Sequence, residues 1–171
     1  YVQEAIRAQE QVGRKRVIWH FIGHLQANKV KKALALFDMI QTVDSFAAAK
    51  EISGHGQVGR ELPILIEVNS AREGQKSGLL PEQVAAVAAQ MSALPNIRVM
   101  GLMTMGPAVD DARQIRPYFS ATRRVFEALA QARLPNLEMK YLSMGMSDSY
   151  REAIDEGANM VRLGRAVFGE R

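Results

Sequence analysis

The 171-residue chain contains no cysteine, so disulfides and thiolate metal sites are excluded. No apolar run approaches the roughly 18 residues of a membrane span. No signal-peptide pattern opens the chain. Charge of one sign is never concentrated. Lys plus Arg number 22 against 18 Asp plus Glu, for a net charge of +4. The densest basic clusters, Arg14-Lys15-Arg16 and Lys29 to Lys32, are short, so the basic face and motif of a nucleic-acid binder are missing. Histidine is sparse: His20, His24 and His55 are not at metal-ligand spacing. His20 and His24 straddle a strand and a loop, and no metal site is expected. What is present is an ordinary globular composition, 47% hydrophobic and 23% charged. That suits one soluble domain over 1–171, and the missing cysteine fits a cytoplasmic location.

Short apolar strands alternate with amphipathic helices. Val2, Ala5, Ile6 and Gln9 open a helical pattern. Residues 17–22, rich in β-branched and aromatic side chains, read as a strand. Val30, Ala33, Leu34 and Phe37 then fall on one helix face. A strand is predicted over 39–43, a helix capped by Ser45 over 46–52, and a loop over 53–56. The apolar run 63–68 suits a strand buried on both faces of a parallel sheet. Pro81 marks a helix start, with Val84, Val87, Ala88 and Met91 on its buried face. Strands over 97–104 and 139–142 flank a helix over about 112–132. Ser149 and Glu152 have capping-box spacing, Gly157 can end that helix, and 160–163 reads as a last strand. About six strands alternating with helices argue for a parallel sheet covered by helices. An eight-unit barrel normally needs about 250 residues, so the pattern is either an open α/β sheet or a barrel short of its beginning.

Polar or glycine-rich loops follow the strands: 23–26, 69–72, 143–147 and 164–165. In parallel α/β folds the site lies at the strand C-termini. The last two loops offer hydroxyls, glycines and backbone N–H groups, the ingredients of an anion cradle. Arg162 needs a partner if it is buried, either an acid such as Glu67 or a ligand. The methionines Met100, Met103, Met105, Met144 and Met146 read as core filler and cavity lining.

Five segments carry a resemblance. They are Trp19-His20-Phe21-Ile22-Gly23-His24-Leu25-Gln26-Ala27-Asn28-Lys29, Glu73-Gly74-Gln75-Lys76-Ser77-Gly78, Gly101-Leu102-Met103-Thr104-Met105, Leu142-Ser143-Met144-Gly145-Met146-Ser147 and Val161-Arg162-Leu163-Gly164-Arg165-Ala166-Val167-Phe168-Gly169. In order along the whole chain they resemble the YggS/PROSC-type pyridoxal phosphate homeostasis proteins, single-domain proteins similar to the barrel of alanine racemase. The resemblance implies a (β/α)8 TIM-type barrel of fold type III, lacking its first one to two strands. It implies pyridoxal 5′-phosphate as cofactor, a role in intracellular vitamin B6 homeostasis without turnover, client enzymes as partners, and a monomer or weak dimer. Ser143, with backbone groups of Gly164 and Arg165, is expected to hold the phosphate. Arg162 is expected to face the pyridine nitrogen, and Met144, Asn69 and Met103 to line the cavity around the ring. His24 and Gln26 lie near the site.

In that family the lysine bonded to the cofactor ends the first strand, before the motif that Tyr1-Val2-Gln3-Glu4-Ala5 resembles. No lysine here matches it. Lys76 follows a strand on the correct side, and the expectation is a solvated loop lysine. An arginine at the pyridine nitrogen, always charged, opposes protonation of the ring and so weakens carbanion chemistry. The alternatives are a fold-type III enzyme such as an amino-acid racemase, which needs a second domain not expected in this chain, and a barrel for another phosphorylated metabolite.

Overall fold

A computed structural model describes residues 2–109 and 111–170. Tyr1, which begins the motif Tyr1-Val2-Gln3-Glu4-Ala5, lies outside the described residues. Among them, five strands form one parallel sheet in chain order: β1 His20–Phe21, β2 Met39–Val43, β3 Leu62–Glu67, β4 Ile97–Met103 and β5 Leu137–Ser143. Parallel neighbours in chain order, each pair joined through helical structure, are the arc of a (β/α) barrel. Among the described residues, seven α-helices flank the arc: α1 Val2–Val12, α2 Val30–Leu36, α3 Phe46–His55, α4 Pro81–Met91, α5 Arg116–Gln131, α6 Tyr150–Asp155 and α7 Arg165–Phe168. Among the described residues no helix is long and apolar enough to cross a membrane.

Local signals account for three helix starts. The Ser45 hydroxyl accepts a hydrogen bond from the Ala48 N–H at 3.2 Å and caps α3. Pro81 sits at the first position of α4, and the Gln83 side chain accepts from the Leu80 N–H at 3.0 Å. Pro117 falls in the first turn of α5, after a 3₁₀ turn, Ala112–Ile115, where its missing N–H costs nothing.

Strand side chains alternate between two layers, except where register shifts in β2 and β4 bring Val43 to the layer of Ile40 and Leu102 to that of Val99. Outward-facing Ile40, Val43, Ile64, Ile66, Val99 and Leu102 pack on the helices through Val30, Ala33, Ile52, Val84, Ala88 and Phe119. Each such fully buried aliphatic side chain stabilises the fold by about 1.5–3 kcal/mol relative to exposure. Inside the arc, Met39, Leu65, Met100 and Met103 form a second cluster with Met105 and Tyr141 against it. Gly101 has φ +146°, and a Cβ there would meet the Tyr141 carbonyl oxygen at 1.8 Å. Only glycine lets β4 and β5 approach this closely, at the point where their register shifts.

Four expectations change. The strand over 17–22 shrinks to β1, two residues long. The strand over 160–163 is a single bridge between Met160 and Ser143. There the Met144 N–H bonds to Met160 O and the Arg162 N–H to Gly145 O, after which the chain turns into α7. The loop expected at 53–56 is largely helix. Ser53 is buried and donates to Pro95 O at 2.7 Å, so a tertiary bond overrides the Ser-Gly turn signal. Ser149 does sit at the N-cap of α6, but its hydroxyl accepts from the Met146 N–H behind the helix rather than from the helix itself.

Candidate functional site

A chain of hydrogen bonds crosses the inner side of the arc near the strand C-termini. Arg162 Nη1 donates to Ser143 O at 3.0 Å and Ser143 Oγ at 2.7 Å, while Nη2 donates to Thr104 O at 2.8 Å. The Ser143 hydroxyl donates onward to Gln41 Oε1 at 2.7 Å. Gln41 Nε2 lies 2.9 Å from His20 Nδ1 and 3.2 Å from Met160 Sδ. Burial lowers the His20 pKa, against an opposing pull from Asp38; because Gln41 Oε1 accepts from Ser143, its Nε2 donates and His20 Nδ1 is the acceptor.

Arg162 therefore rests on neutral acceptors and forms no ion pair among the described residues. Burial lowers its pKa to about 10, with Glu67 opposing through space. It stays charged at neutral pH, with N–H donors beyond the three bonds it makes.

Beside this network, a cavity of about 210 Å³ opens at the ends of β1 to β4. Its walls include Gly23, His24, Thr42, Glu67, Asn69, Ser70, Lys76 and Thr104. Glu67 is 8% exposed. Burial, reinforced by Asp44, pushes its carboxyl up to about 6, against weaker pulls from Arg162 and His24. His24 is exposed, 4.0 Å from the Asp44 carboxylate. Lys76 lines the cavity too: its ammonium donates to Gly106 O at 3.1 Å and pairs with Glu73 at 2.5 Å.

A second cluster joins the two loops after β5. Ser147 Oγ accepts from the Gly164 N–H at 3.3 Å and the Ala166 N–H at 3.1 Å. Nothing lies within 4 Å of where a Gly164 Cβ would stand. Arg165 is exposed and bonds to Asp148.

The expected residues thus separate. Arg162, Ser143 and Met103 face the interior, and Gly164 and Arg165 stand on the outer loops. Ser143 is fully buried, with its proton given to Gln41 and a lone pair to Arg162, so its hydroxyl fixes Arg162 and does not join the Gly164 loop. Met144 does not line the cavity. It follows inward-facing Ser143, so its side chain turns outward into the main core, 0% exposed. Asn69 lines the cavity, but its side chain closes its own loop, donating to Glu73 O at 2.8 Å and Lys76 O at 3.3 Å. Gln26 stands outside the cavity, ahead of the 3₁₀ turn Ala27–Lys29. Sequence reasoning missed Gln41, a polar residue in the middle of an apolar strand and 2% exposed. That mismatch with the strand pattern was the available signal. It also left Ser147 without a task.

The family model described as alanine racemase, N-terminal domain, matches residues 1–171. A pyridoxal phosphate homeostasis protein of Aquifex aeolicus is 38% identical, over 99% of this chain and 74% of its own length. The structure of PipY from Synechococcus elongatus, with pyridoxal phosphate bound, is 33% identical with a TM-score of 0.86, over 99% of this chain and 79% of that one. Alanine racemase of Clostridium difficile, at 16% identity and a TM-score of 0.79, shares the fold over 43% of its chain.

Proposed function

The chain belongs to the alanine racemase N-terminal domain family and, within it, to the pyridoxal phosphate homeostasis proteins, and from this we propose that it binds pyridoxal 5′-phosphate and serves the intracellular homeostasis of that cofactor. The observation that carries the reading is Arg162, a charged guanidinium held in the barrel interior by Ser143 and Thr104, free of a carboxylate partner among the described residues. Such a group fits a ligand that presents a ring-nitrogen lone pair.

The outer loops fit the other end of that ligand. Backbone N–H groups of Gly164, Arg165 and Ala166 would hold the phosphate, together with the Ser147 hydroxyl, which already bridges two of these residues. Ser143 and Gln41 act through Arg162 by fixing its plane, and Met103 and Asn69 bound the space beside it. The cofactor, when bound, supplies an aldehyde that couples reversibly to amines. Arg162 keeps a positive charge where protonation of the ring nitrogen would be needed for carbanion chemistry, so the site suits holding and release of the cofactor over turnover. Release to client enzymes that consume the cofactor is the corresponding biological step.

Equilibrium dialysis tests the reading. Arg162→Ala is expected to weaken binding of the cofactor about 10- to 100-fold, the loss of charge-assisted hydrogen bonds worth ~1.5–3 kcal/mol. Undiminished affinity in that variant would overturn the assignment. Racemisation of amino acids by the loaded protein would move it into the enzyme class.

A further inference from the structure

The cavity at the ends of β1 to β4 contains a group that the cofactor reading leaves without a task. Glu67 lines it at 8% exposure, and no hydrogen bond reaches its carboxyl from any described residue. Every charge acting on it does so through space: Asp44 from the end of β2, His24 from the loop after β1, and Arg162 from beyond β5. From β4, Thr104 brings only a neutral hydroxyl, which is already donated to Val68 O at 2.8 Å. Lys76 and Glu73, from the loop after β3, are paired with each other. A nearly buried carboxylate with no donor is costly unless a ligand supplies one.

The chemistry of the walls narrows that ligand. The Glu67 carboxylate in the wall, with Asp44 outside the wall but acting on it through space, repels an anion and attracts a cation. Among the described residues no group of three or more His, Asp and Glu could hold a metal ion. The cavity, at about 210 Å³, is far larger than the ~10–15 Å³ that one water needs. Besides Glu67, its walls carry the hydroxyls of Thr42, Ser70, Ser77 and Thr104, the Asn69 amide, the His24 imidazole and the paired Glu73 and Lys76.

We propose that this cavity binds a small primary ammonium compound, with the charged nitrogen on Glu67 and within the field of Asp44. An ammonium presents three donors to carboxylate and hydroxyl oxygens. A compound that also carries a carboxylate gains Lys76 as a partner. The site needs no cofactor and goes beyond the cofactor reading, so it is tested in cofactor-free, amine-free buffer, where failure of one leaves the other standing.

The experiment is a titration of the full chain, followed by amide NMR shifts, with methylammonium chloride, glycine and, as an ionic control, sodium acetate. Methylammonium is expected to bind at about pH 7.5 and shift residues around Glu67. At about pH 5 the affinity falls about tenfold, because Glu67 is then protonated roughly one unit below its pKa. Glu67→Gln reproduces that loss at about pH 7.5, and Asp44→Asn gives a smaller one. Glycine binding more tightly than methylammonium identifies amino acids as the source, whereas equal binding identifies simple amines. Absence of saturable shifts with either ammonium probe overturns the proposal. So does binding that is unchanged both in Glu67→Gln and across the pH range.

Discussion

At the scale of single residues, the site is a set of polar groups forced into an apolar interior, and each has its own solution. Ser143, Gln41 and His20 satisfy one another. Arg162 is satisfied by carbonyls and a hydroxyl. Glu67 is not satisfied, and that has a measurable consequence for stability. Its pKa rises from 4.5 to about 6 on folding, chiefly through burial. The folded state therefore holds the proton more tightly than the unfolded one. The resulting stability is fully present below pH 4.5 and is lost as pH rises through about 6. The loss amounts to about 2 kcal/mol. Unfolding free energies of wild type and Glu67→Gln, from denaturant titration, are expected to converge in acid and to separate by that amount at neutral pH, with the variant the more stable. Parallel pH profiles would show that Glu67 titrates as an ordinary surface acid.

Residue types were legible in the sequence, and their directions were not. Arg162 was identifiable as an inward cation that needs a partner. Which serine serves it was decided by strand alternation and by the Gln41 amide, neither of which local spacing reveals. Ser143 and Ser147 stand in the same short motif, yet one is sealed in the interior and the other reaches the Gly164 loop.

At the scale of elements, β2 was readable to the residue because its signals are local: an apolar β-branched run bounded by Phe37-Asp38 and the Ser45 cap. The α3 C-terminus was not, because the Ser53 to Pro95 bond spans 42 residues. The last expected strand failed for a related reason. Beyond the Arg162 N–H to Gly145 O bond the chain turns into α7, with Arg162 facing inward and Gly164 outward. The β4–β5 contact gives a sharper test. Gly101→Ala is expected to cost about 3 kcal/mol, from overpacking against Tyr141 and from an unfavourable positive φ. The thermal midpoint by circular dichroism reads this directly. An unchanged midpoint would mean that the two strands are not held so close.

At the scale of the whole molecule, the chain-order parallel sheet brings every functional loop to one end of the arc. It also separates two layers with different tasks. The outer one, aliphatic and tightly packed, carries the stability. The inner one, methionine-lined with a few buried polar groups, carries the chemistry. The alternation of strand and helix made that architecture legible, because it depends on periodicity summed over many residues. The cavity and its unpartnered carboxylate arise only when β1 to β4 are assembled, so no single segment announces them.

The central claim is that the Ser147–Gly164 loops grip a phosphate while Arg162 meets the ring nitrogen. A crystal structure of the chain with pyridoxal 5′-phosphate tests it most directly. The account predicts phosphate oxygens within hydrogen-bond reach of the Gly164, Arg165 and Ala166 N–H groups, and the pyridine nitrogen against the Arg162 guanidinium. A cofactor bound elsewhere, or with its ring nitrogen turned away from Arg162, would contradict it.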